Sequence, residues 1–239
     1  MRAMRQRIVV VVVAAVSAVA GCGTGAAGHP PATPLGPGTA AGSTEAPTPT
    51  PTPTLVMIIR HGEKPDGTDA SGQGVDPSSR PDDHSLTQTG WDRAYRLADL
   101  FDPTRGPPRA GLARPAAVYA AGANDEGEGA RTRETVAPLA ERLGVVVDTG
   151  SGKGDEEALI ESASAGPGPA LISWAHGEIL AIADAFPSVT PAPPVEWPDD
   201  RFDVVWTFTR TVDGWRFAQV PELVLPQDRA DVIDSGSGR

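Results

Sequence analysis

Cysteine is almost absent from this chain of 239 residues, in which Cys22 is the only one. An intramolecular disulfide is therefore excluded, even if the chain passes through an oxidising compartment. Positive charge is also scarce, because 20 Lys and Arg stand against 31 Asp and Glu and give a net charge of −11. Nucleic acids are bound by clustered positive charge, so the composition argues against a nucleic acid as partner. It argues equally against electrostatic attachment to anionic lipid.

The N-terminal region has no apolar run of the roughly 20 residues that an ordinary membrane-spanning helix needs. Residues 8–20 are Ile, Val and Ala with one Ser, and they follow a short basic segment, a pattern typical of a secretory signal. The next residues, in "VAGC", resemble the bacterial lipoprotein signal, whose cysteine is lipidated and becomes the first residue of the mature protein. The resemblance implies a signal peptide over residues 1–21. It also implies a lipid on Cys22 that anchors the protein to the outer face of the bacterial cell membrane.

Residues 22–54 are rich in Gly, Ala, Thr and Pro and end in "PTPTPTPT". Alternating Pro and Thr favours extended polyproline II and cannot form a packed core. We interpret this segment as a disordered tether that holds a domain away from the membrane. Residues 55–239 have the length of one domain.

Apolar runs alternate with amphipathic segments along residues 55–239. The pattern predicts strands at 55–59, 116–121, 145–148 and 171–174, and helices at 86–101, 131–143, 155–163 and 177–186. Two further alternating segments, around "TVDG", predict a hairpin near the C-terminus. This order predicts a three-layer α/β/α sandwich with a mostly parallel sheet and a C-terminal antiparallel hairpin at one edge. Residues 63–85, rich in Gly, Asp, Ser and Pro, predict a long loop.

Ligands of such folds bind beyond the carboxyl ends of the strands, so the residues after each strand are the candidates. Arg60, His61 and Gly62 follow the first strand, and His176 follows the "LISW" strand. Arg131 and Arg133 follow the second strand. Two histidines and an arginine pair are therefore expected at one edge of the sheet.

These residue types suit phosphoryl transfer. Neutral imidazole is a competent nucleophile toward phosphorus, and guanidinium presents a planar fork that matches phosphate oxygens. A second, protonated histidine adds another donor to the same oxygens. Gly62 lets the backbone approach a ligand closely. Positioning and charge neutralisation of this kind need no metal.

Four segments together resemble the histidine phosphatase superfamily, which includes phosphoglycerate mutase-like and acid phosphatase-like enzymes. They are "IIRHGEK", "SLTQTGWDRAYRLADLF", "RTRETVAPLAERLG" and "LISWAHGEI", which occur in this order within residues 55–186. The resemblance implies that His61 is phosphorylated transiently. It implies that Arg60, Arg131 and His176 hold the phosphoryl group, and that no cofactor is required.

Either Arg131 or Arg133 could be the second arginine of the site, beside Arg60. Two residues apart on a helix, they point in nearly opposite directions, so only one can face the site. The spacing from Arg131 to Thr135 matches that of the family, which selects Arg131. The family's Ser-Pro after the second strand is replaced here by "AAGANDEGEGAR", an acidic insertion whose simplest interpretation is a solvated loop.

The proton donor for the leaving oxygen should be a carboxyl group near the site. The spacing of many relatives favours Asp155 or Glu156, near the start of a helix. Glu178 is the rival, because acid phosphatase-like relatives carry the acid beside the second histidine. Glu63 is a weaker candidate. His84 is expected to be an ordinary loop residue.

The expected function is hydrolysis of small-molecule phosphate monoesters by a metal-independent phosphomonoesterase that is tethered outside the cytoplasm. A mutase is disfavoured by that location, where phosphorylated glycolytic intermediates are not expected. The alternative from another class is a non-catalytic lipoprotein that binds a phosphate ligand or a partner through a degenerate phosphatase pocket. The altered second-strand motif and the unassigned acid leave that alternative open.

Overall fold

A computed structural model describes residues 54–68, 72–122 and 129–235. Within these ranges the chain forms β1 (Leu55–Arg60), α1 (Gln88–Phe101), β2 (Ala117–Ala120), α2 (Ala130–Leu143), β3 (Val147–Asp148), α3 (Glu156–Ala165), β4 (Ala170–Trp174), α4 (His176–Asp184), β5 (Val189–Thr190), β6 (Val204–Thr211) and β7 (Gly214–Pro221). No helix of the described ranges has the length and apolar character needed to cross a bilayer.

The strands form one sheet in the order β3-β2-β4-β1-β6-β7-β5. β3, β2, β4 and β1 run parallel, whereas β6 is antiparallel to both β1 and β7. The predicted α/β sandwich with a mostly parallel sheet and a β6–β7 hairpin is confirmed. β5 was not predicted, and it pairs with β7, so this two-residue strand is the outermost one on the hairpin side.

Two apolar cores lie on opposite faces of the sheet. Val56 and Ile58 of β1 belong to the core that contains residues of α3 and α4. Met57 and Ile59 belong to the core that contains residues of α1 and α2. This division follows from the alternation of side chains along a strand, and it explains why β1 is apolar at successive positions.

The helix boundaries have local causes. Thr87 caps α1, since its side-chain oxygen accepts a hydrogen bond from Gly90 N at 3.2 Å, and the helix therefore begins at Gln88, within the predicted segment 86–101. Gly144 ends α2 as predicted, in the left-handed conformation that glycine adopts without strain. Residues of the predicted loop 63–85 form two isolated bridges, Gly74 with Thr87, which follows the loop, and Val75 with Pro81.

Candidate functional site

The pairing of β1 with β4 places the two histidine-bearing segments side by side. Arg60 of β1 is in register with Trp174 of β4. One residue further, the His61 amide donates to the Trp174 carbonyl at 2.9 Å. His176 begins α4 directly after β4. The adjacency of two parallel strands therefore brings His61 and His176 to the same edge of the sheet.

The His61 ring has a defined tautomer. Its Nδ1 lies 2.7 Å from the Gly62 carbonyl oxygen, which can only accept, so Nδ1 carries the hydrogen. In the neutral ring Nε2 then holds the lone pair. Burial lowers the pKa of His61 to about 3, against the hydrogen bond to Gly62, and the positive charges of Arg60, Arg131 and Lys64 act in the same direction as burial. His61 is therefore a neutral imidazole near pH 7.

The backbone after His61 is fixed by α1 and α2. Gly62 N donates to Thr135 Oγ1 at 2.8 Å, and Thr135 Oγ1 donates to the Arg131 carbonyl at 2.7 Å. A Cβ atom at Gly62 would lie 2.9 Å from the Gly90 carbonyl oxygen, closer than real Cβ contacts. The glycine is therefore required by packing against α1. The hydrogen bonds of Thr135 to Gly62 and Arg131 connect α2 to the loop that follows His61, which we call the His61 loop.

His61 faces a cavity of about 710 Å³, which we call the His61 cavity. Three of the four side chains predicted to attack or hold the phosphoryl group line this cavity, namely His61, Arg131 and His176. Further charged or ionisable side chains line it as well. These further side chains are Lys64, His84, Lys153 and Glu178. Such a collection of cationic groups around a neutral imidazole is suited to an anionic ligand.

Arg131 reaches the His61 cavity from the start of α2. Its Nη2 donates to the Asp83 carbonyl at 2.6 Å, which connects α2 to the loop that carries His84. His84 lines the cavity as well, although it is an exposed loop residue. Arg133 is exposed, as expected if only one of the two arginines faces the site. The acidic insertion falls mainly on residues 123–128, which lie outside the described ranges.

Arg60 points to a second cavity. Its guanidinium Nη1 donates to the carbonyls of Pro198, Asp199 and Arg201 at 3.3, 2.6 and 3.1 Å, and its Cζ lies 3.8 Å above the Phe202 ring. Burial lowers the pKa of Arg60 to about 10, so it stays charged near pH 7. Arg60 lines a cavity of about 890 Å³, the Phe202 cavity, and is not among the residues that line the His61 cavity.

His176 lies where the two cavities meet, and it lines both, as does Lys64. Its Nε2 is 2.7 Å from Asp199 Oδ1. Its Nδ1 is buried and has no hydrogen-bond partner among the described residues. Burial, followed by the charge of Arg60, lowers the pKa of His176, and Asp199 opposes this shift.

The predicted proton donors occupy different places. Asp155 occupies the N-cap position of α3 without a side-chain capping hydrogen bond, and its exposed carboxylate accepts from Gly152 N at 2.9 Å, whereas Glu156 accepts from Gly154 N at 3.0 Å. Neither lines the His61 cavity, because both carboxylates bond to the turn that precedes α3, near the helix N-terminus, where the helix dipole favours negative charge. Glu178 does line the cavity, with Oε1 3.4 Å from Lys153 Nζ.

Glu63 is held by a buried charge cluster and does not line the His61 cavity. Arg93, whose side chain is 2 % exposed, donates to Glu63, Glu222 and Asp228, with shortest distances of 2.8, 2.7 and 2.7 Å. Burial alone would lower the pKa of Arg93. The interactions with Glu222 and Glu63 outweigh burial, so the pKa of Arg93 is raised. Glu63 therefore connects the His61 loop to α1 and to the segment after β7, and a substrate contact is a weaker interpretation of it.

Several site residues were not predicted. Lys64 and Lys153 supply positive charge to the His61 cavity, and Asp199 contacts His176. Lys64 could have been predicted as a site residue, because it lies only three residues after His61. Asp199 could not, because it is distant in sequence from every motif.

Glu222 should make the stability depend on pH. Burial raises its pKa to about 8 from 4.5, so its contribution to the free energy of unfolding is full below about pH 4.5 and is lost as the pH rises toward 8. The pKa values of His61 and His176 are lowered from 6.5 and that of Asp228 from 3.8, so these groups act at more acidic pH. Between pH 6.5 and 8 the free energy of unfolding should fall, and Glu222→Gln should flatten that profile. Urea unfolding at a series of pH values measures both, and parallel profiles would contradict the assignment.

Within the ranges that the structure describes, no group of three or more His, Cys, Asp and Glu side chains could hold a metal ion. Metal independence itself stays a prediction. No protein-family model matches the chain, and no curated protein sequence matches it. The resemblance to the histidine phosphatases therefore rests on the residues quoted above.

Proposed function

We propose that this protein hydrolyses phosphate monoesters through a phosphohistidine intermediate on His61. The observation that carries the proposal is the state of the His61 ring. Its Nδ1–H is bonded to the Gly62 carbonyl, its pKa is lowered to about 3, and its cavity also contains Arg131, His176 and Lys64. A neutral nucleophile among fixed positive charges is what attack on a phosphate ester requires.

The proposed reaction has two displacements. Nε2 of His61 attacks phosphorus, and the bond from phosphorus to the alcohol oxygen breaks on the opposite side. The ring becomes positively charged as the N–P bond forms, and the Gly62 carbonyl stabilises that charge through the Nδ1 hydrogen. Water then attacks phosphorus and gives a proton to the carboxylate that protonated the alcohol, the N–P bond breaks with its electron pair returning to Nε2, and phosphate leaves.

The leaving alcohol needs a proton. Of the four carboxylates considered from the sequence, only Glu178 lines the His61 cavity, so we assign it this role. Arg131 and Lys64 neutralise the phosphoryl oxygens, and His176, whose pKa is lowered, donates a hydrogen bond to them as a neutral imidazole. The substrate is a small phosphate monoester, and the enzyme acts outside the cytoplasm on a lipid anchor at Cys22, a position outside the described residues.

The second candidate is a phosphate-binding protein without turnover. The position of Arg60 favours it, because three carbonyls of one loop accept from Nη1 and the side chain does not line the His61 cavity. Phosphate release from an aryl phosphate distinguishes the two candidates, since an aryl leaving group needs little protonation. Hydrolysis supports the enzyme, whereas phosphate binding with no hydrolysis favours the binding protein.

Arg131→Ala should raise KM for that aryl phosphate and lower kcat together. The variant removes a positive donor that we place on the phosphoryl oxygens, and loss of one such donor costs about 10²–10³ in kcat. Steady-state phosphate release measures both constants. Arg133→Ala is the matched control, because Arg133 is exposed on the same helix and should leave both constants unchanged. Equal losses in the two variants would contradict the placement of Arg131.

A further inference from the structure

Residues 198–201, which we call the 198–201 segment, engage two of the predicted phosphoryl-binding groups. The carbonyls of Pro198, Asp199 and Arg201 accept from Arg60 Nη1. The side chain of Asp199 reaches in addition to His176 Nε2 at 2.7 Å. One residue, Asp199, therefore contacts both Arg60 and His176, through its backbone and its carboxylate respectively.

The contact at His176 uses the nitrogen that a ligand would need. Nδ1 of His176 is buried and therefore not exposed to solvent, and it has no hydrogen-bond partner among the described residues. The imidazole is partly exposed and lines both cavities, which leaves Nε2 as the nitrogen available to a ligand. The Asp199 carboxylate therefore accepts the hydrogen bond from Nε2 that a phosphoryl oxygen would otherwise accept.

The Asp199 carboxylate can leave at low cost. Its side chain is 93 % exposed. Among the described residues its carboxylate has His176 as its only hydrogen-bond or ion-pair partner. An exposed pair of this kind is weak, so a ligand with more negative charge can displace it.

We propose that Asp199 is an internal competitor for His176, and that it sets the affinity of the His61 cavity for anionic ligands. This inference rests on the proposed function, in which that cavity binds a phosphoryl group. When phosphate binds, the Asp199 carboxylate leaves Nε2 and a phosphate oxygen replaces it. Asp199 is thus a residue that determines specificity, because weakly charged anions gain too little at His176 to displace a carboxylate.

The test is the affinity of the full-length chain for inorganic phosphate, measured by isothermal titration calorimetry. Asp199→Asn keeps the shape of the side chain and removes its charge, and we expect phosphate to bind up to about 5-fold more tightly. Asp200→Asn is the matched control. It makes the same change of net charge one residue away, at an exposed side chain whose Oδ2 lies 3.3 Å from Arg229 Nη1, and it should leave the affinity nearly unchanged.

A second pair of variants tests the route through His176. In a His176→Ala background, Asp199→Asn should no longer tighten phosphate binding. The proposal is overturned if Asp199→Asn binds phosphate no more tightly than the unaltered chain, or if Asp200→Asn gives the same gain. A gain that persists without His176 would also overturn it.

Binding without turnover separates this inference from the proposed hydrolysis. If no monoester is hydrolysed but Asp199→Asn tightens phosphate binding through His176, the proposed reaction fails and the competition stands. If monoesters are hydrolysed but Asp199→Asn leaves phosphate affinity unchanged or weaker, the competition fails and the reaction stands. In that case Asp199 supports His176 instead of competing for it.

Discussion

His61→Ala is expected to lower kcat for an aryl phosphate by on the order of 10⁴-fold or more. The variant removes the atom that forms the covalent intermediate, and the remaining charges of the His61 cavity can only bind the ester. Arg131, Lys64 and His176 stay in place, so phosphate binding should persist in the variant. Phosphate release under saturating ester measures kcat.

The control for this variant is His29→Ala, the same chemical change in the Thr/Pro-rich segment that precedes the domain. It should leave kcat unaltered. A His61→Ala protein that turns over as fast as the His29→Ala protein would exclude His61 as the nucleophile.

Arg93→Ala should have the largest effect on stability. It leaves Glu63, Glu222 and Asp228 without the cation that all three contact, and Asp228, whose pKa is lowered and whose carboxylate is therefore charged near pH 7, has a side chain that is only 1 % exposed. Removal of one partner from a buried ion pair costs about 3–5 kcal/mol, because the other charge stays buried without compensation. Urea unfolding near pH 7 measures this loss in the free energy of unfolding.

Arg96→Ala is the matched control for that loss. Arg96 lies on the same helix, α1, but is exposed. Its replacement should change the free energy of unfolding by about 0.5 kcal/mol or less. If both variants lost the same small amount, the cluster around Arg93 would not be a major source of stability.

The sheet could be predicted because its central strands carry strong patterns. β1 is a short apolar run that ends in Arg60, β4 is a short and mostly apolar run, and α1 has apolar residues at helical spacing. β5 could not be predicted, because two residues are too few to show any periodicity. Its pairing with β7 depends on tertiary packing and not on local sequence.

The neighbourhood of His61 and His176 could also be predicted, because residues that follow parallel strands meet at one edge of the sheet. The direction of the Arg60 side chain could not. It depends on the 198–201 segment and on Phe202, which no local pattern connects to β1. The positions of Asp155 and Glu156 differ from expectation for a local reason, since both bond to the turn that begins α3.

The covalent intermediate offers the most direct measurement. The full-length chain is mixed with a phosphate monoester that carries radioactive phosphorus, quenched in alkali and digested, and the labelled peptide is identified. Label on His61 that survives alkali and is released by acid is the expected result, because the bond joins phosphorus to an imidazole nitrogen. Label on another residue, or steady hydrolysis with no labelled histidine, would contradict the phosphohistidine mechanism.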